Sequence, residues 1–213
     1  MSDICENLHR LFQQLPTFGF PFDSSELPRN GIYILYELGE SAHEIGRIVR
    51  IGTHTGANQL PSRLKEHFLK ENKDRSIFRK NIGRAILKKA NDPFLAQWDI
   101  DLTTRQARIT HSGKIDRARL QAVEKQVTDY IQRNFRFAVF RVDDIKKRLS
   151  LESAIISTIS LCDKCQRSDN WLGIHSPIEK IRQSGLWLVN ELYKKPLSAE
   201  EFDELQHLVI SSR

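Results

Sequence analysis

The sequence predicts a mixed α/β domain of the α+β type, in which a small three-stranded antiparallel sheet is flanked by helices. Two runs of apolar and β-branched residues, at 32–38 and 48–51, are separated by polar residues and Gly46, which predicts a β-hairpin. A third run at 135–142 is apolar on both faces of its interior, as is typical of the central strand of a small covered sheet. Between these runs the apolar residues recur at helical spacing, so the order of the two patterns gives the fold class.

The helical pattern appears in six segments. Three lie around 4–15, at 76–90 and at 117–133, and the other three begin near Pro61, after Asp143-Asp144 and at Ser198. Proline in the first turn, and serine or aspartate just before it, are typical helix-start residues. Two further strands are predicted at 98–102 and 107–110, around the polar turn 103–106.

The chain divides into a leader, a core with an insertion, and an extension. Residues 1–30 are expected to form a leader packed on the core, and residues 31–172 the core domain. Residues 71–116 are interpreted as an insertion, because they carry a helix and two strands that a compact core does not need. The C-terminal extension, 173–213, is rich in turns and aromatic residues.

Composition favours a soluble globular protein. Of 213 residues, 39% are hydrophobic and 28% are charged, and no apolar run is long enough to cross a membrane. The N-terminus lacks an apolar signal segment, so we expect a cytoplasmic location. Three cysteines, an odd number outside a secretory context, favour reduced thiols.

One carboxylate lies in an apolar helical stripe. In the helix after Asp143-Asp144, the stripe residues recur at alternating steps of four and three, and they are Ile145, Leu149, Glu152, Ile156 and Ile159. An ionised carboxylate is costly to bury alone, so it must be paired, protonated or bound to a cation. A structural ion pair with an arginine or lysine is one reading of Glu152. A metal ligand is the other, and we favour it because of the motifs nearby.

Those motifs lie on the predicted hairpin and the helix that follows it. Gly31-Ile32-Tyr33 opens the first strand, and Arg50-Ile51-Gly52 ends the second. Arg63 and His67 are four residues apart on the next helix, so they share one row of its surface. This arrangement resembles the GIY-YIG nuclease family, whose two namesake tripeptides lie on antiparallel strands before such a helix. The first tripeptide is intact here, whereas Arg50 replaces the tyrosine of the second.

The resemblance, which covers roughly residues 31–70 and 117–172, implies an activity and a set of site residues. The activity would be hydrolysis of phosphodiester bonds in nucleic acid, with DNA as the expected substrate, by an endonuclease that depends on Mg²⁺ or Mn²⁺. Arg63 would stabilise charge in the transition state, and Tyr33 and His67 would manage the proton of the attacking water. A glutamate on a later helix binds the metal in this family; Glu152 matches it. Asn170 is a looser match to the asparagine that follows, and Arg50 and His54 are auxiliary candidates.

Basic residues are concentrated beside these motifs. Residues 63–89 contain ten lysines and arginines against three acidic residues, an excess larger than the net charge of +6 for the whole chain. Such a block attracts a phosphate backbone without regard to base sequence. The side chains expected to be exposed and to bind nucleic acid are Lys70, Arg75, Arg79, Lys80, Arg84 and Lys88. A solvated helical face is the alternative.

Three other hypotheses stay open. With Arg50 in place of a tyrosine, the domain could bind nucleic acid without cutting it. It could also be a protein-interaction domain in which Glu152 and Arg63 form a structural pair. Cys162 and Cys165, with His175, supply only three of the four ligands of a structural zinc site unless Cys5 joins them. We therefore interpret these cysteines as small buried or semi-exposed residues.

Overall fold

The fold is α+β and is built on one antiparallel sheet. A computed structural model describes residues 2–111 and 113–212. Among these residues the sheet has four strands, in the order β1-β4-β2-β3. The strands are β1 (Thr17–Gly19), β2 (Gly31–Ala42), β3 (Ile45–Gly52) and β4 (Phe135–Arg141). The three predicted strands are confirmed, and β4 lies in the interior of the sheet as expected.

The prediction of three strands missed β1. This strand has only three residues and pairs with β4, with Phe18 opposite Phe137. It lies between Pro16 and Pro21, so its sequence favours a loop. The pairing is therefore decided by tertiary contacts rather than by a local pattern.

Helices flank the sheet on both sides. They are α1 (Ser2–Gln13), α2 (Leu60–Phe68), α3 (Ile77–Lys89), α4 (Leu95–Trp98), α5 (Arg105–Thr110), α6 (Arg117–Asn134), α7 (Ile145–Ser160), α8 (Glu179–Ser184) and α9 (Ala199–Ile210). The side chains of Ser76, Asp116, Asp144 and Ser198 accept backbone N–H groups at the starts of α3, α6, α7 and α9. Within the described residues no helix has both the length and the apolar character needed to span a bilayer.

The two strands predicted in the segment 71–116 are wrong, because 107–110 belongs to helix α5 and 98–102 is the end of α4 followed by a turn and irregular chain. Trp98 ends α4, and its indole packs against Gly83, where a Cβ atom would be 2.3 Å from the ring. Its Nε1 donates to the carbonyl of Lys80 at 2.9 Å. Thr104, read as part of a turn between strands, instead caps α5 by accepting from the N–H of Ala107.

The β2–β3 hairpin is longer than predicted. Its polar part, read as a loop, continues the two strands to a turn at His43 and Glu44. Both turn residues have positive φ, at 51° and 65°. Glu40 and Arg47 form a buried ion pair across this part of the hairpin, which explains how a segment of low β propensity is held in the sheet.

Side chains alternate between two cores on the two faces of the sheet. Ile32 and Ile34 face one core, which also receives α1, α7 and α9. Tyr33 and Leu35 face the other, which receives α2, α3 and α6. Because Tyr33 points towards α2, the first tripeptide and the helix with Arg63 and His67 come together.

Candidate active site

Tyr33 and His67 form a buried hydrogen-bonded pair. The Tyr33 hydroxyl is 2.8 Å from His67 Nε2, and His67 Nδ1 is 2.7 Å from the hydroxyl of Ser76. Only 1% of Tyr33 and none of His67 is exposed. Burial, together with the charges of nearby arginines, holds the pKa of His67 well below its usual value of 6.5. The imidazole is therefore neutral, and its Nε2 can accept a hydrogen bond from the tyrosine hydroxyl.

The structure explains why the second tripeptide ends in a glycine, Gly52. It pairs with Tyr33 across the hairpin, and a Cβ atom at this position would be 2.1 Å from the Tyr33 hydroxyl. Any larger residue would displace the hydroxyl from His67. The motif therefore keeps space for the tyrosine oxygen.

Arg50 connects this pair to a cavity. Its Nε lies 3.4 Å from the Tyr33 hydroxyl, and its Nη1 donates to the carbonyl of Trp187 at 2.5 Å. The guanidinium also lies over the ring of Phe78, 5.3 Å from its centre. Arg50 lines a cavity of about 380 Å³ that also exposes Glu152. The residue in place of the second tyrosine is thus the one that contacts both Tyr33 and the cavity.

Glu152 is a half-buried carboxylate without an ion pair among the described residues. Its Oε1 accepts the backbone N–H of Thr53 at 3.0 Å, which joins α7 to the end of β3. Burial raises the pKa of Glu152, while the positive charges of Arg50 and Arg63 and the Thr53 hydrogen bond act in the opposite direction. Arg63 instead pairs with Glu66 at 3.2 Å and donates to the carbonyl of Arg75. The hypothesis that Glu152 and Arg63 form a structural ion pair is therefore wrong.

Arg63 lies at the edge of the site. Its charge lowers the pKa of His67 and also opposes the rise in the pKa of Glu152, so it acts on both. It is not one of the residues that line the cavity.

Two auxiliary residues lie away from the cavity. His54 is buried in the loop after β3, where its Nδ1 is 2.7 Å from the carbonyl of Gly56 and its own carbonyl accepts from Arg148. Asn170 is exposed and does not line the cavity, whereas Asn190 does. Asn190 follows Glu152 by 38 residues, and no local pattern marks it, so only the fold brings it to the site.

Half of the predicted nucleic-acid contacts are exposed and half are not. Lys70, Arg75 and Lys88 are exposed, but the expectation of exposure is wrong for Arg79 and Lys80, which are buried, and Arg84 is half-buried against Asp99. Arg79, Lys80 and Arg84 lie on or beside the face of α3 that packs on the core. There each of them lies close to a carboxylate of the protein itself.

Arg79 shows what this burial achieves. Its guanidinium pairs with Glu124 at 2.7 Å and donates to Thr128 at 2.8 Å. It also donates to the carbonyl of His67 at 3.1 Å. Arg79 therefore fixes α2 and α6 against α3, and with them the position of the imidazole.

Comparison with known families agrees with this geometry. A family model described as GIY-YIG domain matches residues 3–213. No curated protein and no solved structure matches the chain. The family match includes both tripeptides, α2 and Glu152, and it confirms the resemblance seen in the sequence. The chain belongs to the GIY-YIG domain family, whose members are generally endonucleases.

Proposed function

We propose that this protein is an endonuclease that hydrolyses phosphodiester bonds in DNA and requires Mg²⁺ or Mn²⁺. The observation that carries the proposal is the connected set of Tyr33, His67 and Arg50, which reaches a cavity containing Glu152. A buried imidazole bonded to a tyrosine supplies a proton acceptor, and an unpaired carboxylate supplies a cation ligand. A protein that only needed a stable core would gain little from this arrangement.

The residues around Glu152 fit a hard divalent cation. Glu152, Asn190 and Glu191 line the cavity, so the available atoms are carboxylate and amide oxygens, which Mg²⁺ and Mn²⁺ prefer. Glu191 raises the pKa of Glu152 through charge repulsion, and a cation would relieve that repulsion. Glu152 is the proposed ligand. When bound, the cation would polarise a phosphate oxygen and neutralise charge on the leaving group.

Tyr33 and His67 are proposed to remove a proton from the attacking water. Nε2 of the neutral His67 has a lone pair for the Tyr33 hydroxyl, so that when the tyrosine oxygen takes a proton from water its own proton passes along this hydrogen bond to Nε2. Ser76 holds the other imidazole nitrogen and thereby fixes the ring. Arg50 Nε, 3.4 Å from the same oxygen, donates a hydrogen bond to it and helps to fix its position.

Two arginines are proposed to bind the phosphate. Among the described residues, none accepts a hydrogen bond from Arg50 Nη2, so this nitrogen can donate to a phosphate that enters the cavity. Arg63 would stabilise the charge that develops in the transition state, because a guanidinium matches phosphate oxygens. The exposed Lys70, Arg75 and Lys88 are proposed to hold the nucleic-acid backbone nearby.

One observation favours a second candidate, a module that binds nucleic acid without cutting it. Tyr33 is almost fully buried, and Arg50 lies between its hydroxyl and the cavity. In that case Arg50 would bind phosphate and take no part in chemistry. Both candidate functions predict binding to nucleic acid, but only the endonuclease predicts cleavage of it.

A cleavage assay separates them. Labelled plasmid, linear duplex, branched duplex, single-stranded DNA and RNA are incubated with the protein in Mg²⁺, Mn²⁺ or EDTA. We expect metal-dependent cleavage of at least one DNA form by the parent, and cleavage slower by about 100- to 10,000-fold by the Tyr33→Phe variant. Salt-sensitive binding without cleavage of any form would support the silent module instead. Cleavage of RNA alone would overturn the proposed substrate.

A further inference from the structure

A second cluster of reactive side chains lies on the opposite face of the sheet. It consists of Cys5, His43, Cys162 and Cys165, and we call it the thiol cluster. Cys5 Sγ is 3.3 Å from Cys165 Sγ, and His43 Nε2 is 3.4 Å from Cys165 Sγ and 3.6 Å from Cys162 Sγ. All three cysteines are free and buried, and the His43 side chain is 1% exposed.

These separations match those between ligands of one tetrahedral zinc ion. Zn–S bonds of about 2.3 Å and Zn–N bonds of about 2.0 Å place sulfur atoms about 3.8 Å apart, and sulfur and nitrogen about 3.5 Å apart. The two imidazole-to-sulfur distances, 3.4 and 3.6 Å, agree with this value. The sulfur-to-sulfur distance is somewhat shorter, at 3.3 Å, and well beyond a disulfide bond of about 2.05 Å.

His9 has a ring nitrogen within 4.8 Å of the ligand atoms of Cys5, His43 and Cys165, and its Nε2 is 3.9 Å from Cys165 Sγ, but both of its nitrogens are occupied by backbone partners. Its Nδ1 lies 2.9 Å from the carbonyl of Cys5, to which it can only donate, so its Nε2 carries the lone pair. That lone pair accepts the backbone N–H of Ile48 at 3.3 Å. His9 therefore supports α1 against β3, and His43 is the histidine that can offer a free nitrogen to a metal.

His43 is oriented as a zinc ligand would be. Its Nδ1 lies 3.8 Å from the carboxylate of Glu6, whose negative charge favours the proton on Nδ1, while Nε2 points towards the cysteines. His43 also occupies a turn position with φ of 51°, where glycine or asparagine is usual. Strain of this kind persists where a residue is needed for its side chain.

Cys162 and Cys165 complete the pattern from the sequence side. They are separated by two residues just after α7, a spacing common in structural zinc sites. The backbone N–H of Lys164 donates to Cys162, and the N–H of Cys165 donates to the carbonyl of Cys162 at 3.4 Å. Such a turn directs two sulfur atoms to the same side. His175, which lies in a separate 3₁₀ helix, is not in the thiol cluster.

We propose that Cys5, His43, Cys162 and Cys165 bind one Zn²⁺ in a closed, structural site. Three sulfur ligands and one imidazole in a tetrahedral arrangement favour zinc over harder cations. The three thiols release their protons when the metal binds, so the site carries thiolates. The zinc joins α1, the tip of the hairpin and the end of α7, and it has no open position for a substrate. It is thus distinct from the Glu152 cavity.

The direct test is the metal content of the untagged protein, purified in reducing buffer without chelators. We expect one equivalent of zinc by elemental mass spectrometry. Stripping the metal and adding Co²⁺ should give the visible bands of tetrahedral cobalt and a near-ultraviolet thiolate charge-transfer band. Absence of both stoichiometric zinc and the cobalt spectrum from the folded parent would overturn the proposal. A Cys5–Cys165 disulfide in a metal-free protein would overturn it as well.

Variants then identify the ligands. Cys165→Ser and His43→Ala should lose the zinc, whereas His9→Gln and His175→Ala should keep it. Glu6→Gln should retain the metal with an affinity about 10- to 100-fold lower, because it removes only the partner of His43. If His9→Gln lost the zinc and His43→Ala kept it, the assignment of His43 would be wrong. Should a ligand variant fail to fold, the cobalt spectrum of the parent still decides the matter.

Discussion

The two faces of the sheet bury polar groups in different ways. On the face with α2 and α3, each group of the Tyr33, His67 and Ser76 chain has a hydrogen-bond partner at 2.7 or 2.8 Å. On the face with α1 and α7, the thiol cluster contains sulfur atoms, which are weak donors and acceptors. The first arrangement is complete with protein groups alone, whereas the second becomes complete only with a metal. Burial alone therefore does not distinguish a proton-transfer site from a metal site. The atoms that surround the buried polar groups distinguish them.

The largest loss of stability is expected when the Arg79–Glu124 ion pair is broken, because this pair holds the helices on the sheet face that carries Tyr33. Arg79→Met leaves the carboxylate of Glu124 buried without its partner, so we expect the free energy of unfolding to fall by about 3–5 kcal/mol. Urea unfolding measures this loss. Arg75→Met, on an exposed arginine, is the control and should change the stability by less than about 0.5 kcal/mol. Equal effects of the two variants would show that the Arg79 pair is unimportant.

Removing one oxygen tests the chemistry of the same face. Tyr33→Phe should lower the cleavage rate by about 100- to 10,000-fold, because it removes the group proposed to take the proton from water. The fold should lose only about 1–3 kcal/mol from the unpaired nitrogen atoms of His67 and Arg50. Zinc content should not change, since the thiol cluster lies on the other face. Cleavage rates and metal content of one preparation give both readouts, and loss of zinc in this variant would contradict the separation of the two sites.

The free energy of unfolding should depend on pH through His67, because burial holds the pKa of this residue well below 6.5. The folded state binds this proton more weakly than the unfolded state. The stability that His67 contributes is therefore complete above the unfolded pKa of 6.5 and declines as the pH falls towards the folded pKa. The decline is at most about 1.4 kcal/mol per pH unit.

Unfolding free energies measured between about pH 7 and pH 5 should thus fall more steeply for the parent than for His67→Gln. His207→Gln, which changes an exposed histidine on α9, should keep the slope of the parent. Parallel profiles for the parent and His67→Gln would mean that His67 is not buried in its neutral form.

The smallest effect is expected on the surface. Replacing Lys70 and Lys88 by glutamine should weaken binding to all DNA sequences and lower the salt slope by about one unit for each of these lysines that binds a phosphate. Stability should stay within about 0.5 kcal/mol. The matched control is Lys125→Gln together with Lys146→Gln, outside the basic block, which should leave the salt slope unchanged. A slope unaffected by the first pair would place the phosphate-binding surface elsewhere.

Periodicity and helix-start residues were enough to predict most of the fold. The hairpin, α2 with Arg63 and His67 on it, and the position of α7 all follow from local patterns that the structure keeps. The apolar stripe predicted on α7 is only partly kept, because Ile145 and Leu149 are exposed and the buried row begins at Arg148 and Leu151 instead. The contact between Tyr33 and His67 also follows, because alternation along β2 puts the tyrosine on one face only.

Other features depend on contacts between distant parts of the chain, which no local pattern encodes. A basic residue looks the same in sequence whether it is exposed, as Lys88 is, or buried against a carboxylate, as Arg79 is. Asn190 and His43 lie far along the chain from their neighbours in space. His43 reaches Cys165, 122 residues away, only because the hairpin is longer than its sequence suggests.

Glu152→Gln shows whether Glu152 serves metal-dependent cleavage, because it removes the charge of the proposed metal ligand and keeps its shape. Burial raises the pKa of Glu152, so its stabilising contribution is present below the unfolded value of 4.5 and is lost as the pH rises through the folded pKa. Near neutral pH the glutamine variant should therefore unfold at a temperature equal to or slightly above that of the parent.

The measurement combines the cleavage rate with the melting temperature, each with and without Mg²⁺. We predict that Glu152→Gln abolishes cleavage, and that added Mg²⁺ raises the melting temperature of the parent but not of the variant. Undiminished cleavage by the glutamine variant, or a loss of stability of about 3–5 kcal/mol that is independent of metal, would contradict the assignment of Glu152 as the metal ligand.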